Sequence, residues 1–226
     1  MIKFENVYKS YANKIKILRD INLHIKVGEF VSIVGQSGAG KTSLVKILIG
    51  EEKVDEGRVI IGDWDITKIK RHDIPFLRRQ IGVIFQDFKL LPKKTLKENI
   101  SFALEVCGAS PAKIKKIVPS VLKIVGLEDK GDRYPREVSG GEQQRAAIAR
   151  ALVHQPKILL ADEPTGNLDA INADEIINLL LRINKFGTTI VLVTHNKDIV
   201  NHLNRRVITM DKGVVISDKE HGKYLL

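Results

Sequence analysis

Alternating polar and apolar positions dominate the first part of the chain. The segment from Ile21 to Val27 alternates strictly, which is typical of a strand with one buried and one exposed face. The segments from Ile2 to Tyr8 and from Arg58 to Ile61 have a comparable strand pattern. Because half-buried strands are characteristic of antiparallel sheets, we predict a small antiparallel β layer built from these three segments.

Short, wholly apolar runs form a second pattern and indicate strands that are buried on both faces. Such runs extend from Phe30 to Val34, from Ile158 to Ala161 and from Ile190 to Val193. Helical patterns separate them, from Thr42 to Ile49 and from Ala173 to Phe186, and each of these ends at a glycine. Strands that alternate with helices predict an α/β fold with a mainly parallel sheet.

The segment after residue 86 differs from the rest because it has several helix signals and few strand patterns. Thr95 opens a capping-box sequence, so we expect a helix from there to about Gly108. Ser110-Pro111 provides the cap and the first residue of a second helix, which Pro119 is expected to kink or restart. We interpret residues 87–150 as an inserted helical subdomain.

Length and composition then limit the class of protein. The 226 residues fit one domain, with a core formed by residues 1–86 and 151–226 around the helical subdomain. No apolar run approaches the roughly 18–20 residues that a membrane span needs, and the first residues do not have a signal-peptide pattern. Cys107 is the only cysteine, which excludes an internal disulfide and fits a reducing cytoplasm.

The net charge of +10 is concentrated in one region. Residues 64–136 contain 16 Lys and Arg against 8 Asp and Glu. This excess fits a solvated basic face, an anionic membrane surface or nucleic acid, and composition alone does not choose among the three.

A glycine-rich loop joins the first buried strand to the helix that follows it. Its sequence, Gly-Gln-Ser-Gly-Ala-Gly-Lys-Thr, matches the phosphate-binding loop pattern in full. Successive backbone N–H groups of such a loop can surround a phosphate, and the helix adds its positive N-terminal dipole. A glycine-rich turn without a ligand is the alternative, but the strand, the loop and the Lys-Thr pair together favour binding of a nucleoside triphosphate. The predicted nucleotide contacts in this region are Gly35, Gln36, Ser37, Gly38, Ala39, Gly40, Lys41, Thr42 and Ser43.

Two acidic residues, Asp162 and Glu163, directly follow a buried strand. Ligands of parallel sheets bind at this end of the strands. We predict that Asp162 and the Thr42 hydroxyl hold Mg²⁺, that Glu163 polarises the attacking water, and that Lys41 reaches the terminal phosphates. An ordinary acidic turn is the alternative, but beside a phosphate-binding loop the functional interpretation is favoured.

The segment Ser139-Gly140-Gly141-Glu142 resembles the signature of the ABC ATPases, which usually reads Leu-Ser-Gly-Gly-Gln. Val138 and Glu142 replace the usual Leu and Gln, while the Ser-Gly-Gly core is kept. Ser139 and two glycines can open a helix with exposed N–H groups, which makes a second anion site. In the family this site contacts the γ-phosphate of ATP held by the other subunit. The resemblance therefore implies an ABC ATPase fold and a homodimer that forms on ATP.

The resemblance covers the whole chain and implies roles for further residues. Tyr11 resembles the aromatic that stacks on adenine, with a core-packing strand aromatic as the alternative. Gln86 resembles the glutamine that touches Mg²⁺ and senses a membrane subunit. The segment Gly166-Asn167-Leu168-Asp169 resembles the loop that joins the two ATP sites across the dimer, and His195 resembles the switch histidine that contacts the γ-phosphate. Glu163, His195 and Lys41 are thus the predicted catalytic residues, and Thr42, Gln86 and Asp162 the predicted magnesium site.

Within the ABC ATPases, the segment from Phe85 to Thr95 is most similar to the ATPases of bacterial cell division. That resemblance implies an FtsX-like transmembrane partner docking near Gln86–Asn99, control of peptidoglycan hydrolysis, and a place on the cytoplasmic face of the cell membrane. The ATPase of a lipoprotein-releasing or macrolide-type exporter is the alternative. A soluble ABC protein acting on nucleic acid is disfavoured, because the chain has one phosphate-binding loop and no sustained heptads. We therefore assign the basic region to a membrane surface and expect no nucleic acid.

Overall fold

The computed structural model describes residues 1–11 and 15–224. These residues form two β-sheets and seven α-helices. In chain order the elements are β1 (Ile2–Tyr11), β2 (Ile15–Ile25), β3 (Phe30–Val34), α1 (Lys41–Leu48), β4 (Glu56–Ile61), β5 (Trp64–Asp65), α2 (Ile74–Arg78), β6 (Ile81–Phe85), α3 (Leu96–Val106), α4 (Pro111–Ile124), α5 (Gly140–Leu152), β7 (Ile158–Asp162), α6 (Ala170–Lys185), β8 (Thr189–Val193), α7 (Lys197–Leu203), β9 (Arg206–Asp211) and β10 (Val214–Lys219).

The smaller sheet is the antiparallel layer that the alternating segments predict. Its strands lie in the order β2-β1-β4-β5, and each described pair is antiparallel. Strand β2 ends at Ile25, two residues before the end of the alternating pattern, because the chain turns at Gly28 with a φ of 71°. Val27 lies in that turn and is exposed.

The larger sheet has the order β10-β9-β3-β8-β7-β6, and only β10 is antiparallel to its neighbour. Every residue of β3 and β8 is buried, as the apolar runs predict. Because these strands are parallel, the residues that follow β3, β6, β7 and β8 meet at one edge of the sheet. That edge carries the predicted phosphate-binding loop and the acidic pair.

The inserted segment is helical as predicted, with one difference. Helix α3 begins with the expected capping box, in which Thr95 and Glu98 exchange hydrogen bonds. Helix α4 runs continuously through Pro119, so the alternative of a restarted helix is wrong. Pro119 and Lys115 both lie on the exposed side of α4, where water can bind the carbonyl that proline leaves without a donor. The buried residues Val118 and Leu122 hold the other side of the helix in the core.

The two faces of the larger sheet carry separate cores. One core joins the sheet to α1 and the antiparallel layer, and the other joins it to helices α3 to α6. Because the second core continues from the helical segment into the sheet, the boundaries of the helical subdomain at residues 87 and 150 stay a prediction. Among the described residues, no helix combines the length and apolar character needed to cross a membrane.

Candidate functional site

The glycine-rich loop connects β3 to α1 in a conformation that its glycines permit. Gly35 has a φ of 151°, and a Cβ atom on it would overlap the carbonyl oxygen of Met210. Gly40 precedes α1 with a φ of 99°, and a Cβ atom there would lie 2.7 Å from the Leu18 side chain. Within the described residues no side chain caps the N-terminus of α1. Its free N–H groups are therefore available to an anion.

Lys41 is buried with its ammonium group directed into this loop. Its Nζ donates hydrogen bonds to the carbonyl oxygens of Gly35 at 2.6 Å and Gln36 at 3.0 Å. Burial lowers the pKa of Lys41, while the nearby carboxylates of Glu163 and Asp162 act in the opposite direction. The structure thus places a cation between the loop and both acidic residues.

The other predicted nucleotide contacts of the loop lie around this cation. Gln36, Ser37, Gly38 and Thr42 are exposed, whereas Ala39 and Ser43 are buried. The four exposed residues leave polar side-chain atoms and backbone atoms accessible at the edge where the parallel strands end.

Tyr11 lies beside the first turns of α1 rather than in a core. Its hydroxyl lies 3.1 Å from Ser43 Oγ and donates to the carboxylate of Glu52, and 40% of the residue is exposed. Burial of the hydroxyl, followed by its hydrogen bond to Glu52, raises the pKa of Tyr11. The alternative of a strand aromatic packed in the core is therefore wrong. A stacking role with adenine stays a prediction.

The two acidic residues at the end of β7, Asp162 in the strand and Glu163 directly after it, have different surroundings. Asp162 pairs in register with Phe85 on β6 and Val193 on β8, and burial together with the charge of Glu163 raises the pKa of its carboxyl. Glu163 has a φ of 49°, and its N–H donates to the Val193 carbonyl at 2.8 Å. Non-glycine residues in this left-handed region are uncommon and occur preferentially at functional positions.

Glu163 and His195 contact each other directly. Glu163 Oε1 lies 2.7 Å from His195 Nδ1, and Oε2 accepts from the Thr194 hydroxyl at 3.2 Å and the His195 N–H at 3.4 Å. Because an ionised carboxylate only accepts hydrogen bonds, the proton of this contact is on Nδ1. The Nε2 atom is then the ring nitrogen left for another ligand.

Ser139 caps helix α5 and is exposed. Its Oγ accepts from the Glu142 N–H at 3.3 Å, and its own N–H donates to Glu142 Oε2 at 2.9 Å. Glu142 also contacts the ammonium group of Lys130, which lowers the pKa of Glu142. Among the described residues, no hydrogen bond of Ser139 reaches the glycine-rich loop.

Gln86 pairs with Asn167, a residue of the loop that ends at Asp169. Its Nε2 donates to Asn167 Oδ1 at 3.1 Å, and Asn167 Nδ2 donates to the Gln86 carbonyl at 3.0 Å. A Cβ atom on Gly166 would lie 2.8 Å from Gln86 Nε2, so a larger residue there would displace the Gln86 side chain. Asp169 caps helix α6 by accepting from the Asn172 N–H at 2.9 Å.

Gln144, which follows the signature residues, makes a contact that the sequence does not predict. It is fully buried, and its Nε2 donates to the Pro164 carbonyl at 2.6 Å. The bond connects helix α5 to the turn after Glu163. The sequence holds no signal for this contact or for Gln86–Asn167, because each joins residues far apart in the chain.

The comparisons with known proteins agree with this geometry. The model of the ABC transporter family matches residues 18–166. The chain belongs to this family, and it is an ATPase of the ABC class.

Within the family, the chain belongs with the cell division ATP-binding protein FtsE. It is 50% identical to the FtsE of Bacillus subtilis (strain 168) over 224 residues, which covers 99% of this chain and 98% of the relative. It is 51% identical to the FtsE of Streptococcus pneumoniae (strain D39), over 99% of this chain and 97% of the relative. It is 42% identical to the FtsE of Escherichia coli (strain K12), over 94% of this chain and 96% of the relative.

Solved structures show the same fold. A dimeric post-hydrolysis state of the ATP-binding cassette MJ0796 bound to ADP and Pi matches with a TM-score of 0.88 and 36% identity, over 99% of this chain and 100% of the other. The cbiO1 protein from Clostridium perfringens matches with a TM-score of 0.90 and 34% identity, over 97% of this chain and 88% of the other. The predicted fold class, ATP binding and ATP hydrolysis are confirmed. The role of each individual site residue stays a prediction.

Proposed function

We propose that this chain dimerises on ATP and drives a separate FtsX-like membrane subunit, which regulates peptidoglycan hydrolysis during cell division. The observation that carries the proposal is the similarity to FtsE proteins, which extends over 99% of the chain at 50–51% identity. The dimeric structure of the related cassette supports the homodimer.

In this proposal the triphosphate of ATP takes the place of the two carbonyl oxygens that accept hydrogen bonds from Lys41 in the structure. The ammonium group already lies at the loop, so it can exchange the carbonyl oxygens of Gly35 and Gln36 for the β- and γ-phosphates. The glycine-rich loop contributes backbone N–H groups, with Ser43 beside them on α1. Tyr11 is exposed next to Ser43, which supports the proposal that its ring stacks on the base.

The donor atoms of the predicted metal site fit Mg²⁺. Thr42, Gln86 and Asp162 offer a hydroxyl, an amide oxygen and a carboxylate, which are the hard oxygen ligands that Mg²⁺ prefers. No cluster of three or more His, Cys, Asp or Glu occurs in the part of the chain that the structure describes. This agrees with an ion that keeps water and substrate phosphates as most of its ligands. At this site the ion would supply positive charge that neutralises the charge of the phosphates.

Glu163 is the group that can polarise the attacking water. In the structure it is engaged by Thr194 and His195, so one carboxylate oxygen has to turn towards water for the reaction. His195 contacts Glu163 through Nδ1, so its Nε2 atom could contact the γ-phosphate at the same time. The water oxygen then bonds to the γ-phosphorus as the bond to the ADP oxygen breaks, and Glu163 takes up the proton.

The capped N-terminus of α5 supports a contact between Ser139 and the ATP bound to the other subunit. The Oγ of Ser139 accepts a hydrogen bond from within α5, which leaves its hydroxyl proton available to a phosphate oxygen. With Gly140 and Gly141 it would contact the ATP of the other subunit. Asp169, beside the Gln86–Asn167 pair, would connect the two sites.

The Gln86–Asn99 segment has the features of a preformed docking surface. Phe88 and Lys89 have left-handed backbones, and Arg150 donates to both of their carbonyls at 2.8 and 2.5 Å. Phe88 and Leu91 are half-buried, while Lys93 is exposed. A partner helix could therefore pack on the apolar groups while the basic residues face lipid headgroups on the cytoplasmic side of the membrane.

Replacing both Phe88 and Leu91 with Asp is expected to abolish co-purification with an FtsX-like protein, because two charges would replace the apolar contacts. Basal ATP hydrolysis should largely survive, since the nucleotide contacts are elsewhere. A matched control is Ile216→Asp, which changes an exposed apolar residue on β10 at the opposite edge of the sheet. Intact partner binding in the double variant would contradict the proposal, and so would tight, salt-sensitive binding of the wild type to duplex DNA.

Asn99 holds the docking segment in place, and its loss is expected to destabilise the protein. It is fully buried, accepts from the Leu91 N–H at 2.7 Å, and donates to the carbonyls of Leu91, Lys94 and Thr95. Asn99→Leu removes the partner of the Leu91 N–H and of the Lys94 carbonyl, whereas the Leu91 and Thr95 carbonyls keep backbone donors. We therefore expect unfolding to become easier by about 2–4 kcal/mol in urea denaturation. Lys97→Ala on the exposed side of the same helix should change stability by less than about 0.5 kcal/mol. Equal stability of the two variants would show that Asn99 does not anchor this segment.

A further inference from the structure

An apolar groove of about 1000 Å³ lies among α4, the end of α5, the end of α6 and the turn before β3. Three of its apolar side chains are unusually exposed: Val27 at 75%, Ile124 at 56% and Phe186 at 90%. Phe186 follows the last residue of α6 and contributes little to the core. Packing within the chain therefore does not explain an aromatic residue at this position.

The groove is at the far end of the sheet from the nucleotide site. Lys157 and Thr188 line it, and they directly precede β7 and β8, whereas Glu163 and His195 follow those strands. A five-residue strand separates the two ends by roughly 16 Å. The Gln86–Asn99 segment also follows a strand of this sheet. An occupant of the groove would therefore leave both the ATP site and the proposed membrane-subunit site free.

The charged side chains that line the groove are all basic. Lys123, Lys157 and Arg182 line it, and no Asp or Glu is found among its described lining residues. An apolar floor with a basic rim complements a helix that has an apolar stripe flanked by acidic residues. A lipid surface fits this location less well, because the groove faces away from the segment proposed to meet the membrane.

We propose that this groove docks an acidic amphipathic helix of a protein partner. The apolar stripe of the helix packs against Val27, Ile124 and Phe186, and its carboxylates pair with Lys157 and Arg182. The site is independent of ATP binding. Its occupant can consequently attach the ATPase to a second protein while the opposite side engages the membrane subunit.

The test uses the full-length chain and an 18-residue fluorescent peptide with Leu at helical i, i+3, i+4 and i+7 spacing and Glu on the remaining face. Fluorescence anisotropy should show saturable binding of this peptide, with or without ATP. Two control peptides should bind at least about tenfold more weakly, one with Lys in place of Glu and one of the same composition with scrambled spacing.

Substitutions in the groove test whether the acidic peptide binds there. Phe186→Ser and Lys157→Glu should each weaken binding of the acidic peptide at least about tenfold, with thermal unfolding and ATPase rate unchanged. Ile216→Ser, an exposed apolar change on β10, should leave binding unchanged. Because Phe186 is almost fully exposed, its replacement should not affect folding.

Several results would overturn the proposal. If the Lys peptide binds as tightly as the Glu peptide, the basic residues of the groove do not select an acidic partner. If Phe186→Ser binds the acidic peptide as tightly as the wild type, the peptide does not bind in the groove. Binding of phosphatidylglycerol vesicles that depends on Phe186, without peptide binding, would assign the groove to lipid. Loss of a wild-type dimer in Phe186→Ser would assign it to a second copy of the chain. None of these outcomes depends on the proposed membrane subunit, so failure of that proposal would be recognised separately.

Discussion

The Glu163→Gln variant is expected to hydrolyse ATP at least ~10²-fold more slowly than the wild type, because general bases contribute about 10²–10⁴-fold to such rates. Glutamine keeps the size of the side chain but cannot take up the proton of the attacking water. Lys41 and Asp162 are unchanged, so ATP binding should remain. Steady-state phosphate release and calorimetric titration with ATP measure the two properties separately.

The matched control for this experiment is Glu175→Gln, which makes the same change at an exposed residue paired with Arg145. It should retain the wild-type rate. If Glu163→Gln also hydrolyses ATP at the normal rate, Glu163 is not the base, and its neighbour His195 becomes the next candidate.

The Lys41→Ala variant is expected to bind ATP about 10–100-fold more weakly, given roughly 1.5–3 kcal/mol for hydrogen bonds to a charged group, and to lose turnover. The variant removes the only ammonium group that the structure shows, among its described residues, bonded to the loop carbonyls. Calorimetry measures the affinity, and circular dichroism verifies the fold. Lys115→Ala, on the exposed side of α4, is the control and should bind ATP normally. Unchanged affinity in a folded Lys41→Ala protein would contradict the phosphate-loop assignment.

The features that could be predicted from the sequence are those encoded over short stretches. The alternating and the wholly apolar runs predict both sheets, and the structure confirms β1 to β4, β7 and β8. The phosphate-binding loop is one contiguous motif. The capping box at Thr95 is likewise local, since it joins residues three apart.

The features that the sequence does not reveal depend on contacts between distant residues. Gln86 meets Asn167 because β6 and β7 are neighbours in the sheet, and their hydrogen bonds span 81 positions. The contact between Glu163 and His195 likewise requires β7 beside β8. The continuity of α4 through Pro119 depends on which side of the helix faces water. None of these arrangements follows from a local pattern.

The backbone conformation at the site could not be predicted either. Phe88, Lys89 and Glu163 all have positive φ values, although none is a glycine. The bonds from Arg150 to the first two residues, and the Val193 carbonyl that accepts from Glu163, stabilise these conformations through tertiary contacts. The sequence identifies Glu163 as a candidate catalytic residue, but not the backbone geometry that presents it.

The most direct test of the central proposal, an ATPase that dimerises on ATP, is the molar mass of Glu163→Gln by light scattering on gel filtration. In saturating MgATP the variant should elute with twice the chain mass of 25.3 kDa, because ATP is bound but not hydrolysed. In MgADP it should elute at 25.3 kDa. A mass of 25.3 kDa in MgATP, with calorimetry showing ATP bound, would contradict the account.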